Sequence, residues 1–217
     1  MKLNLANKLT IFRILLVPVI MIIPIIDGLW GISGEFLQIP TTFWIMNAIF
    51  IIASITDKLD GQIARSRNEV TTFGKFLDPL ADKILVLSAL VILVEYTKIP
   101  SWIPIIVLAR EFIVSGYRLI AVEKGGTVIA ASIWGKLKTV TQMIAIILCF
   151  LDPFKFGQFI FRVPNLGDMA SNSAAIYMTT GQFIINILAT VMLTISVVAT
   201  IFSGIDYMKN GKDLLKD

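Results

Sequence analysis

The chain has 217 residues, 56% of them hydrophobic and only 16% charged, with a formal net charge of +4. Soluble domains are nearer a quarter charged, so this composition points to a lipid solvent and to one compact membrane domain over residues 1–217. There is no histidine and only one cysteine, which excludes an imidazole base, an internal disulfide and a Cys-rich zinc site.

A spanning helix needs about 20 mostly apolar residues. The first candidate runs from about Leu9 to Ile26 and carries Pro18 and Pro24, so a kink is expected. Ahead of it, Lys2 to Lys8 reads as a short surface helix that holds anionic lipid headgroups. The second span runs from about Pro40 to Arg65, the third from Gly74 to Tyr96, the fourth from Pro100 to Val122 and the fifth from Ile133 to Leu151. Pro153 to Gly167 mixes Phe, Pro, Gly and two basic residues and reads as an interfacial loop. The sixth span lies within Met169 to Ile205, an uncharged stretch longer than one crossing needs. Trp30, Trp44, Trp102 and Trp134 fall near span ends, as interface aromatics do, and Cys149 reads as a small buried hydrophobe.

Six spans place both termini on one side. With the N-terminus in the cytoplasm, every Lys and Arg except Lys98, Lys155 and Arg162 falls at a cytoplasmic end. This asymmetry orients the bundle and accounts for the basic charge without nucleic acid. The third, fourth and fifth helices have short uncharged parts, Ile84 to Val94, Ile99 to Ala109 and Thr139 to Leu151. Their other turns carry charges, all toward the cytoplasm. Charges facing lipid are costly, so these are expected to line a polar cavity open to that side.

Asp57 and Asp60 are three residues apart and Asp78 and Asp82 four apart, so each pair shares a helix face. A short connection makes the two helices antiparallel neighbours, and the four carboxylates can converge. Four negative charges in a partly dry cavity repel unless protons or cations intervene. Two divalent ions would nearly neutralise them, and paired metals suit displacement at phosphorus. Without histidine the donors are oxygens, which favours Mg²⁺ or Mn²⁺ over zinc. The plainer alternative is a structural ion-pair network with Lys58, Lys75 and Lys83. Gly61, Ala64 and Gly74 leave bare helix surface beside the acids, for a ligand or simply for close helix packing.

In order, these residues read Asp57-x2-Asp60-Gly61-x2-Ala64-Arg65-x8-Gly74-x3-Asp78-x3-Asp82. The pattern resembles the signature of the CDP-alcohol phosphatidyltransferase family at all eight fixed positions. NLANKLTIFRILLVP from Asn4, AREFIVSG from Ala109 and WGKLKTVTQM from Trp134 are similar to the bacterial members that use glycerol 3-phosphate as acceptor. The region after Leu151 adds little to the likeness. The resemblance implies a six-helix membrane enzyme, a homodimer in the bacterial plasma membrane. It implies transfer of a phosphatidyl group from CDP-diacylglycerol to glycerol 3-phosphate, with release of CMP. By the same resemblance Asp57, Asp60, Asp78 and Asp82 surround divalent metal, and Asp82 is the base. Asp57, Asp60, Gly61, Ala64, Arg65, Gly74 and Asp78 lie against the CDP-diacylglycerol.

A phosphorylated acceptor needs basic residues of its own. Arg110 and Arg118 lie on the fourth helix, about 80° apart around its axis, within reach of one another's direction through long side chains. Lys136 and Lys138 at the start of the fifth helix add charge, either to this pocket or as ordinary flanking residues. Glu111 is adjacent to Arg110 but is expected to turn to another face. Two other readings remain open: the same chemistry with inositol phosphate, serine or another alcohol as acceptor, and a cation transporter using the Asp cluster. The absence of an internal repeat counts against the transporter.

Overall fold

The computed structural model describes residues 5–31, 34–66, 72–123, 133–158 and 178–211, with side chains described except at positions 5–6, 58–66, 72–76, 78 and 122. The described residues form six helices: α1 (Leu5–Trp30), α2 (Thr41–Ser66), α3 (Thr72–Glu95), α4 (Trp102–Glu123), α5 (Ile133–Leu151) and α6 (Thr180–Asn210). α1 continues through Pro18 and Pro24. Leu5 to Lys8 are its first turn, so the described part of Lys2 to Lys8 is not a separate surface helix; the apolar run simply extends the α-helical ladder back to Leu5. The described start of the expected interfacial loop, Pro153 to Gln158, is irregular, and the rest of that loop lies outside the described residues.

A small feature joins α1 to α2. Strands β1 (Glu35–Phe36) and β2 (Ile39–Pro40) pair antiparallel, with Phe36 opposite Ile39. Leu37 and Gln38 both take positive φ, 56° and 62°, the geometry of a two-residue hairpin turn. Neither residue is Gly or Asn, so the turn carried no sequence signal. Trp44 donates its indole N–H to the Phe36 carbonyl at 3.3 Å and fastens the hairpin to α2.

α1, α5 and α6 are long and apolar enough to cross a membrane, and Thr41–Asp57 of α2 is a shorter apolar helix. Hydrophobic residues cover the outside: Leu15, Ile25, Val91, Ile105, Phe112 and Val140 are all more than half exposed. In lipid such a surface is stable, because tails solvate it as well as neighbouring side chains do. The interior is packed from Ile20, Phe43, Phe50, Leu85, Leu93, Ile146 and Phe150, each nearly or fully buried.

α5 packs most extensively on α6, α1 packs on α2 and α3, and α4 packs on α6. The α6 face shows why. Asn186, Ala189, Leu193, Ser196, Thr200, Ser203 and Tyr207 are buried and alternate at three- and four-residue spacing. That spacing keeps one seam facing its neighbours along the whole helix, and its small members let backbones approach. Thr179 caps the helix start. Its hydroxyl accepts from Gln182 N–H, and Gln182 Oε1 accepts from Thr179 N–H at 2.9 Å.

A polar knot closes the end of the bundle where α3 ends and α6 begins. The Lys98 ammonium donates to the Asp152 carbonyl at 2.7 Å, and Asn186 donates to Asp152 Oδ2 at 2.7 Å and to the Lys155 carbonyl at 3.0 Å. Phe154 N–H donates to Asp152 Oδ1 at 2.9 Å. Burial pushes Lys98 below its ordinary pKa, against the pull of Asp152. Burial likewise raises Asp152, against its hydrogen bonds from Phe154 and Asn186 and the charge of Lys98. Gly157 takes φ +71°, which an L side chain rarely adopts, and its N–H reaches Thr190 at 3.1 Å. Asn186→Leu leaves Asp152 Oδ2 without this donor in a buried setting. It should lower stability by about 2 kcal/mol, read as a drop in thermal midpoint in detergent, with catalytic constants little changed.

Candidate active site

A cavity of about 190 Å³ opens between α3, α4 and α5, lined by Asp82, Lys83, Arg110, Glu111, Arg118, Lys138 and Gln142 among others. These positions lie in the turns where the sequence places charges on otherwise apolar helices. Among the described residues four cations and two acids line one small space, so this part of the lining has a positive excess suited to a polyanion.

Glu111 is the hub. Its Oε1 accepts from Arg110 Nη1 at 2.9 Å and from Lys138 Nζ, and its Oε2 lies 3.7 Å from Lys83 Nζ. It therefore does not turn to another face. Neighbouring helical positions differ by about 100°, but both side chains are long enough to bend back into the same cavity. One carboxylate thus ties α3, α4 and α5 together. Lys83 also donates to Ser115 at 2.5 Å.

Arg110 and Arg118 meet on α6. Arg110 Nη2 donates to Ser203 Oγ at 2.5 Å, and Arg118 Nη2 donates to the Tyr207 hydroxyl at 2.9 Å. Both guanidinium carbons lie 5.7 Å from the centre of the Tyr207 ring. Of the two lysines at the start of α5, Lys138 is buried and lines the cavity, whereas Lys136 is exposed and is not part of the lining. Two residues along a helix turn the side chain by about 200°.

On the acidic side, Asp57 accepts from Arg13 Nη1 at 2.5 Å; the Arg13 side chain is fully buried and Asp57 is 37% exposed. Arg13 figures in the sequence as a flanking cytoplasmic charge. It is a partner of the first acid of the motif. Asp82 lies within electrostatic reach of Asp57 and Arg13 and also of Lys138 and Glu111. Asp60, Gly61, Ala64 and Arg65 belong to the backbone of α2, and Gly74 and Asp78 to that of α3. Their side chains lie outside the described set. Among the described residues no group of three or more Asp, Glu, Cys or His is gathered to hold a metal; half of the expected four-acid set is not among them.

Residues 3–202 match the CDP-alcohol phosphatidyltransferase family, and the chain belongs to that family. Its relatives are similar over most of their length. A Bacillus subtilis protein named CDP-diacylglycerol–glycerol-3-phosphate 3-phosphatidyltransferase is 46% identical over 73% of this chain and 83% of its own. The Haemophilus influenzae protein of the same name is 36% identical over 100% of this chain and 98% of its own. The Rickettsia typhi protein of that name is 33% identical over 95% and 96%.

Removing Glu111 alone leaves buried cations facing each other. Glu111→Ala should lower stability by about 3 kcal/mol, measured by thermal unfolding in detergent. Adding Lys138→Met in the same chain should recover part of the loss, since an apolar pair tolerates burial that a lone cation does not.

Proposed function

We propose that this chain transfers the phosphatidyl group of CDP-diacylglycerol to sn-glycerol 3-phosphate, giving phosphatidylglycerophosphate and CMP. Relatives named for this reaction cover nearly the whole chain, and the reading draws on their names. The observation that carries the acceptor assignment is the cation-rich cavity beside Asp82. Arg110, Arg118 and Lys138 project into one space of about 190 Å³, and phosphate monoesters are dianions that forked arginine donors recognise. Serine offers only a single carboxylate beside its own ammonium, and neutral alcohols offer no charge, so neither suits these cations as a phosphate dianion does.

The donor set Asp57, Asp60, Asp78 and Asp82 would hold divalent Mg²⁺ or Mn²⁺, two ions by the charge count. It consists of hard oxygen ligands, and Arg13 neutralises only part of its charge. Bound there, the ions would supply positive charge to the diphosphate of the donor. The chain's own residues do the rest. Gly61, Ala64 and Gly74 give the nucleotide close access to the helix surfaces, and Arg65 lies against the CDP part. Arg110, Arg118 and Lys138 hold the acceptor phosphate, while exposed Lys136 adds to the field at the mouth. Asp82 takes the proton from the acceptor hydroxyl. The hydroxyl oxygen bonds to the phosphatidyl phosphorus, the bond from that phosphorus to the CMP oxygen breaks, and CMP departs with the electron pair.

All six helices cross the bacterial plasma membrane in this reading, with both termini and the cavity on the cytoplasmic side. The distribution of Lys and Arg supports this orientation. A homodimer follows from the family likeness.

Purified protein with Mg²⁺ or Mn²⁺ should release CMP from CDP-diacylglycerol only when glycerol 3-phosphate is present, and chelation should stop it. Turnover with serine or inositol phosphate instead would overturn the acceptor. Asp82→Asn should abolish turnover with donor binding retained. Arg110→Ala should raise the acceptor KM about tenfold or more, the loss of one or two charge-assisted hydrogen bonds, with the donor KM within about twofold.

A further inference from the structure

We propose that Tyr207 of α6 is a positioning residue for the acceptor-phosphate pocket, aligning Arg110 and Arg118 on one target. The inference rests on the acceptor pocket described above and goes beyond it by giving the last helix a part in recognition. Eight residues separate the two arginines along α4, about 12 Å of rise and about 80° of turn. Left to the helix, their guanidinium groups point to different places. One ring on the neighbouring helix removes the difference: both guanidinium carbons sit 5.7 Å from its centre.

Cations over an aromatic face are attracted by its quadrupole, more strongly where water is scarce. Tyr207 is 2% exposed, so the contact is sheltered. Its hydroxyl fixes Arg118 at 2.9 Å, and Ser203, one turn earlier, fixes Arg110 at 2.5 Å. Between them Arg110 packs over Gly204, its Cγ at ordinary contact distance, 3.5 Å, from where a Cβ would stand.

The chemistry of the holders matters. Among the described residues Arg118 has no carboxylate partner; a neutral hydroxyl and a ring hold it. A clamp of this kind orients a guanidinium without neutralising it. The charge is left for an anionic ligand in the cavity that Arg118 lines. An acid at the same place would hold Arg118 equally well and cancel its use.

Steady-state kinetics on the full-length protein in detergent, varying glycerol 3-phosphate and CDP-diacylglycerol separately, test this. Tyr207→Phe keeps the ring and removes the hydroxyl, and should raise the acceptor KM about threefold. Tyr207→Leu removes both, and should raise it about tenfold or more. In both, the donor KM should stay within about twofold, and kcat should fall less than the acceptor KM rises. The graded order, with Phe rescuing part of the Leu defect, is what a merely structural tyrosine lacks. An unchanged acceptor KM in Tyr207→Leu, or equal changes in both substrates' KM, overturns the inference. If Tyr207→Leu fails to fold, an unchanged acceptor KM in Tyr207→Phe overturns it. Arg110→Ala run alongside separates the two levels. A raised acceptor KM in Arg110→Ala with none in the Tyr207 variants defeats only the positioning role. No change in Arg110→Ala defeats the pocket itself.

Discussion

A charged side chain inside an apolar bundle is stable only when another group answers it, and the arrangement of this protein follows from that constraint. Taking a lone ion out of water costs several kcal/mol even after relaxation. Arg13 answers Asp57, Glu111 answers Arg110, Lys138 and Lys83, and Asp152 with Asn186 answers Lys98. Each of these contacts joins different helices or the loops between them, apart from Arg110 with its neighbour. The ions thus fix which helices lie side by side, a task that apolar contacts do weakly when lipid is an equally good solvent.

The two ends of the bundle use the same rule differently. At the Lys98 end Lys98, Asp152, Phe154 and Asn186 are joined by hydrogen bonds that leave Asn186 Oδ1 without a partner, and the space among Lys98, Cys149, Asp152 and Thr190 has no room for a water. At the Glu111 end the count does not balance. Among the described residues two acids face four cations around an open cavity, and their surplus is positive. A closed knot holds structure, whereas an unbalanced one holds a ligand.

Much of this was legible. The helices α2 to α5 start and stop within a few residues of where the hydropathy of the chain places them. The turns where charge begins on the third, fourth and fifth helices are the turns that line the cavity. What escaped was reach. Angular position on a helix locates a Cα, not the end of an arginine or glutamate, and so Glu111 was read as facing away. Arg13 was counted among flanking charges because nothing in its own segment marks it; its partner lies 44 positions later. The hairpin at Leu37 and Gln38 uses residues that give no turn signal. Ser203 and Tyr207 sit in or near a stretch that reads as membrane filler, in the part of the chain where the family likeness is weakest.

That last case carries a general point about how such a site is built. α3, α4 and α5 bear the charges and so cannot also pack tightly around them. A wall without charge is needed to hold the arginines in place, and α6 is the helix whose buried seam is polar yet uncharged: Asn186, Ser196, Thr200, Ser203 and Tyr207. Hydroxyls and an aromatic ring can orient a cation and leave its charge intact, which a carboxylate cannot do. The uncharged character of α6, which makes it look uninformative in the sequence, is therefore the property that lets Arg118 keep its charge for a ligand.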